Sequence, residues 1–145
     1  MAISSAICNS FKQELLVGTH NFTASSGNTF KIALYTSSAS LGASTTAYST
    51  SNEISNTSGS AYSAGGATLT SVTPVLDSST AVCDFADVSF TSASFTANGC
   101  LIYNDTQSDK AVAVIAFGSD KTVTSGTFTI QFPTADASNA IIRIA

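Results

Sequence analysis

The stretch Phe30-Lys31-Ile32-Ala33-Leu34-Tyr35 decides the fold. Phe30, Ile32 and Leu34 project to one side, and Lys31, Ala33 and Tyr35 to the other. That period of two fits a strand and not a helix. One apolar face beside a mixed one predicts an antiparallel strand buried on one side. Strand-like runs then recur at roughly ten-residue spacing, at residues 67–72, 81–85, 88–91, 95–103, 111–117, 127–132 and 140–144. Turn formers separate them: Pro74 with Asp77, Asn104-Asp105, Gly118 with Asp120, Ser125-Gly126, and Pro133. The run 111–117 is apolar on both faces, which predicts a central strand covered on both sides. Ile141, Ile142 and Ile144 predict an ending tied into a sheet. Together these runs predict an all-β fold, an antiparallel β-sandwich or jelly-roll-like domain spanning 1–145.

Two segments depart from the period of two. Ile7, Phe11 and Leu15 recur every four residues, which predicts one short N-terminal helix within residues 1–18. Ser4 or Ser5 would cap its start and Gly18 would follow its end. Such a helix is too short to stand alone in water, so it must dock on the sheets or on another subunit. Residues 36–66 are dominated by Ser, Thr, Ala, Gly and Asn, with Glu53 as the sole charge. A structureless loop of about 30 residues is uncommon in a compact domain and usually functional. It is expected to be an extended arm or long excursion, with a short strand around Tyr48 and a turn at Gly65-Gly66.

Composition bounds the function. Only 10% of the 145 residues are charged, against roughly 25% in an average domain. Ser and Thr contribute 25 and 20 residues, so the surface is wetted by hydroxyls and amides rather than by ions. With 43% hydrophobic residues, the chain is the reverse of a disordered tail. Five cations, none between Lys31 and Lys110, leave no basic patch for nucleic acid. The Glu and Lys that wet a helical bundle are missing. No run approaches ~18 apolar residues, so no membrane span is expected. A domain of this size buries roughly 70% of its extended-chain surface, so it needs neither disulfide nor metal to fold. Cys8, Cys83 and Cys100 are an odd set without short spacing, and are expected as buried free thiols. A Cys83–Cys100 bridge between neighbouring strands is the alternative. The first residues lack the basic and apolar regions of a signal peptide, which predicts synthesis in a cytoplasm.

No catalytic constellation is expected. His20 is the single histidine and lies beside Asn21 in the turn after the helix, as a solvent-exposed or locally hydrogen-bonded residue. Serines are so abundant that one near His20 carries no information, and no Gly-x-Ser-x-Gly elbow occurs. One His and scattered Cys cannot assemble a zinc site. Asp105 and Asp109 could contribute to a Ca²⁺ site, but no D-x-D-x-D pattern accompanies them. Paired carboxylates of a glycosidase would need aromatic platforms, and Trp is absent. Asp84 and Asp87 are expected to accept backbone N–H groups across a bulge. No cofactor or metal is expected. The three N-x-S/T triplets, at Asn21, Asn56 and Asn104, are what 45 hydroxyl residues produce by chance.

A building block remains. Ser, Thr and Ala lose little side-chain entropy when ordered at a contact, and hydroxyls can satisfy buried backbone groups. The candidate contact residues are the apolar side chains of the helix and arm: Ile3, Ile7, Phe11, Leu41, Tyr48, Ile54 and Tyr62.

Several stretches resemble a family of small tailed-bacteriophage virion proteins. They are residues 31–48 (KIALYTSSASLGASTTAY), 52–54 (NEI), 62–69 (YSAGGATL), 85–90 (FADVSF), 95–104 (FTANGCLIYN), 113–118 (AVIAFG), 125–133 (SGTFTIQFP) and 140–145 (AIIRIA). The resemblance covers most of the chain from about residue 28. Two departures stand out: Asn98 replaces a frequent Arg, and the stretch 56–61 is extended. The resemblance implies a β-sandwich or jelly-roll-like virion protein, commonly a homodimer or homotrimer. The expected role is a capsid decoration (cement) protein that binds the major capsid protein and ties capsomers together. A tail, neck or fibre-associated component is the alternative. A glycan-binding module ranks below both, and an enzyme lowest.

Overall fold

The computed structural model describes residues 2–145. Eight strands and one short helix follow in the order β1 (Ala6–Ile7), α1 (Asn9–Leu16), β2 (Phe30–Tyr35), β3 (Ala67–Thr68), β4 (Ser71–Asp77), β5 (Thr80–Phe85), β6 (Val88–Asn104), β7 (Lys110–Ile130) and β8 (Ile142–Ile144). They form two antiparallel sheets, a five-stranded one ordered β1-β7-β6-β2-β3 and a three-stranded one ordered β4-β5-β8. One cluster of buried residues draws on both sheets, with Phe30, Ile32, Leu101 and Val112 from the larger and Cys83, Phe85 and Ile142 from the smaller. All nine phenylalanines take part in aromatic contacts, from the Phe22–Phe30 stack at 4.3 Å to the Phe117–Phe128 pair at 6.1 Å.

The predicted strand at 30–35 forms, and it lies between β6 and β3. Its second face is not wet, however: Ala33 and Tyr35 are as buried as Ile32 and Leu34. The cause is residues 36–66, which fold back over the sheet rather than extending from it. Beyond the two-residue β3, Ile54 N donates to Leu34 O and Leu34 N donates to the Tyr62 hydroxyl, each at 2.9 Å. Ala47 bridges to Lys110 and Tyr48 stacks on Tyr103 at 4.7 Å, close to the expected strand around Tyr48.

The helix is shorter than expected. Ile7 belongs to β1, pairing with Ala113, and Cys8 N donates to Val112 O, so the helix begins at Asn9. Neither Ser4 nor Ser5 caps it; the Ser5 hydroxyl accepts from Ala116 N. A four-residue recurrence cannot distinguish a strand end from a first helical turn when sheet pairing competes for the backbone. The C-terminus follows the expected chemistry. Gly18 has φ +75°, Gly18 N donates to Leu15 O and Thr19 N to Glu14 O, a Schellman ending.

Three strand boundaries also differ. The run 67–72 divides into β3 and the start of β4. Pro74 sits inside β4, which tolerates it because β4 is an edge strand with a register shift between Val72 and Val75. The four runs from 88–91 to 127–132 merge into two long strands. The expected breakers Gly118 and Asp120 lie instead in a wide bulge, where Asn98 faces the four residues 117–120 and donates to Asp120 Oδ1 at 2.9 Å.

Candidate functional site

The expected contact residues are mostly committed inside the chain. Phe11, Ile54 and Tyr62 are buried in the core, and Ile3, Ile7, Leu41 and Tyr48 are half-buried against it. Phe11, Ile54 and Tyr62 therefore present no free surface, because the helix and arm close onto the chain's own sheets. The apolar side chains that do face outward are Leu16, Val17, Val72, Val75, Leu76 and Ile144. Leu16, Val17, Val72 and Ile144 lie inside runs that the helix or strand pattern explains, and Val75 and Leu76 fall between the turn formers Pro74 and Asp77.

Glu53, the sole charge of residues 36–66, organises the arm. Its Oε2 accepts from the Tyr48 hydroxyl, and its Oε1 accepts from the Tyr62 hydroxyl and from Gly65 N, all at 2.7 Å. Tyr103 donates to Gly65 O and Tyr35 to Ser49 O, so all four tyrosines anchor the segment. Burial raises the ionisation of each phenol above its ordinary range, and the Glu53 carboxylate adds to this at Tyr48 and Tyr62. These phenols remain hydrogen-bond donors. The arm's outer face, with Ser37, Ser38, Ser40, Ser44 and Thr46 exposed, carries no charge.

His20 is buried, not exposed. Its Nε2 lies 2.6 Å from Glu14 Oε2, and Asn104 Nδ2 donates to its Nδ1 at 2.9 Å. Asn104 is oriented by Gln107 N, which donates to Asn104 Oδ1, and by Asn28 Oδ1, which accepts from Asn104 Nδ2. The network assigns the Nε2–H tautomer, with Nε2 donating to Glu14. Lys110 completes it at 3.5 Å from Glu14 Oε1. Both imidazole nitrogens are taken, so neither is left to activate a hydroxyl. The cluster joins α1 to the turn after β6.

The other candidates are placed separately. Asp105 pairs with Lys31 at 3.2 Å; of the expected backbone acceptors Asp84 and Asp87, Asp87 Oδ1 accepts from Phe132 N, and it does so from the connection between β5 and β6 rather than across a bulge. Among the described residues, no group of three His, Cys, Asp or Glu side chains is placed to hold a metal ion. No helix is long and apolar enough to cross a membrane. All three cysteines are free and buried.

Burial pushes the thiol of Cys8 up to about 11, and those of Cys83 and Cys100 up to about 12, from an ordinary 9.0. Thiols so protonated are poor nucleophiles. A disulfide reagent at pH 8 should label none in the native protein and three after denaturation. Because the folded values are raised, their contribution to stability is complete below about pH 9. It declines as pH rises from 9 towards 12. Urea midpoints measured across that range should fall steadily; a flat profile would contradict the assignment.

An apolar groove of about 510 Å³ runs along the inner side of β7, lined by Ile115, Phe117, Phe128, Ile130, Phe132 and Ile141, among others. A second depression of about 370 Å³ lies in the arm itself and is lined by Ser38, Ser40, Ser44, Thr45, Thr46 and Ser49, among others. Neither holds a cluster of titratable groups. The molecule thus offers a neutral face and an apolar groove. Comparison with protein-family models, with curated proteins and with solved structures gives no match to this chain.

Proposed function

We propose that this chain is a structural protein of a tailed-bacteriophage particle, a capsid decoration (cement) protein that binds the outer shell and bridges neighbouring capsomers without chemistry. The observation that carries this reading is the arm. Residues 36–66 are folded flush on the larger sheet and turn an uncharged, hydroxyl-rich face outward. Burying such a face removes no ions from water, and ordering Ser and Thr costs less than ordering Lys or Glu. The likeness of residues 31–48 and 95–104 to small virion proteins supports the same role. The core shared by two antiparallel sheets supports a sandwich or jelly-roll-like arrangement, acting as a homodimer or homotrimer on the major capsid protein. A glycan-binding role fits less well, since Tyr35, Tyr62 and Tyr103 are buried and offer no stacking platform.

The test is absolute quantification by mass spectrometry of purified particles from the phage that encodes the chain. Decoration requires hundreds of copies per particle. A handful would transfer the chain to the tail or neck, and none would remove it from the virion.

A further inference from the structure

We propose that the apolar groove along β7 receives the tip of the β4–β5 hairpin from a second copy of this chain. The tip is the better of the two apolar projections on the surface. Val75 is 58% and Leu76 72% exposed. These two side chains stay exposed, while the turn that follows them is held to the body by Asp77 and by the buried Thr80. Asp77 follows immediately; its Oδ2 accepts from Ala137 N, and its Oδ1 has no partner within the chain.

The groove matches that tip in chemistry. Its volume of about 510 Å³ lies within the ~300–1,000 Å³ typical of sites that bury a compact ligand. Lys121 is the one charged side chain lining it. The Lys121 ammonium donates to Ser119 Oγ at 3.1 Å and forms no ion pair among the described residues. Valine and leucine side chains fill an apolar hole while the neighbouring carboxylate meets the sole cation at its rim. The second projection, Leu16 and Val17 at the end of α1, is more exposed. It brings no free carboxylate, because Glu14 is held by His20 and Lys110. Charge complementarity therefore selects the hairpin.

Tip and groove are different patches of one chain, so the contact either pairs two copies reciprocally about a two-fold axis or runs head to tail into a ring or row. A single such contact falls below the ~1,200 Å² of a stable interface. It is weak alone and multiplied where copies sit side by side. The inference does not rest on the particle role, and it is tested on the isolated chain.

Sedimentation equilibrium at rising protein concentration gives the test. The native chain should self-associate, and Leu76→Ser and Lys121→Glu should each weaken association about tenfold or more. An equimolar mixture of the two variants retains one intact tip and one intact groove, so it should form heterodimers and nothing larger. Leu16→Ser should associate like the native chain. All these positions are surface ones, and matching melting curves verify folding. A native chain that stays monomeric overturns the proposal. So does association that is indifferent to Leu76→Ser, or that is lost with Leu16→Ser.

Discussion

Gly66→Ala should destabilise the protein by about 3–5 kcal/mol and lower its melting temperature by roughly 10 °C. Two independent effects combine at this position. Gly66 has φ +79°, where an L-residue costs about 1–2 kcal/mol. A methyl group there would also overlap Ile32 O and lie 2.7 Å from the Ile32 carbonyl carbon. That contact is with the backbone of the interior strand β2, which cannot yield without disturbing its pairing to β6. Gly118→Ala separates the two effects. It has φ +81° with nothing within 4 Å of the added carbon, so it should cost only the conformational part. Urea unfolding of both variants gives the comparison. If Gly66→Ala costs no more than Gly118→Ala, the close approach of the arm to β2 is not what requires glycine. Domains of this kind hold only ~5–15 kcal/mol of stability, so the predicted loss would threaten folding at physiological temperature.

Much of the architecture was legible in local pattern. The alternation in 30–35 marked an antiparallel strand, which forms over those residues, and Gly18 marked a helix end that forms as its chemistry requires. What escaped was decided by partners distant in sequence. Ile7 fits a helical stripe, yet it pairs with Ala113, more than a hundred residues away. Gly118 and Asp120 read as a turn but form a bulge, because Asn98 on the facing strand supplies a partner for Asp120. His20 read as a solvent-exposed or locally hydrogen-bonded turn residue; it is buried and hydrogen-bonded, because Glu14 and Asn104 converge on it from a helix and from the end of β6. The arm shows the limit most clearly. Its composition announced a loop, and composition does not say where a loop lies. The signal was present in Glu53, a lone carboxylate in a long neutral segment that contains Tyr48 and Tyr62. Acidic groups surrounded by potential donors within one loop are candidates for a fold-back anchor.

Glu53→Ala should release that arm at a cost of about 3 kcal/mol. Hydrogen bonds to a charged acceptor contribute ~1.5–3 kcal/mol each, and Glu53 accepts three. The full sum is not expected, because Glu53 is half-buried and water can reach some of the donors it leaves. Glu53→Gln keeps one amide oxygen for Tyr62 and Gly65 and presents N–H groups to Tyr48, whose hydroxyl can turn to accept. It should cost about 1–2 kcal/mol. Two measurements separate a local release from general loss of stability. Limited proteolysis should cut the alanine variant within residues 36–66 under conditions where the sheets remain protected. Ultraviolet titration should show Tyr48 and Tyr62 ionising at lower pH in the glutamine variant, since the carboxylate that opposes phenolate formation has been neutralised. Unchanged phenol titration would mean that burial alone holds those hydroxyls protonated. The consequence for contact follows from entropy. With Glu53 in place the neutral face is ordered before any partner arrives; without it, each ordered backbone residue would cost ~1–2 kcal/mol on binding. If the arm is a contact face, as proposed, the alanine variant should therefore load poorly onto the partner that the native arm engages.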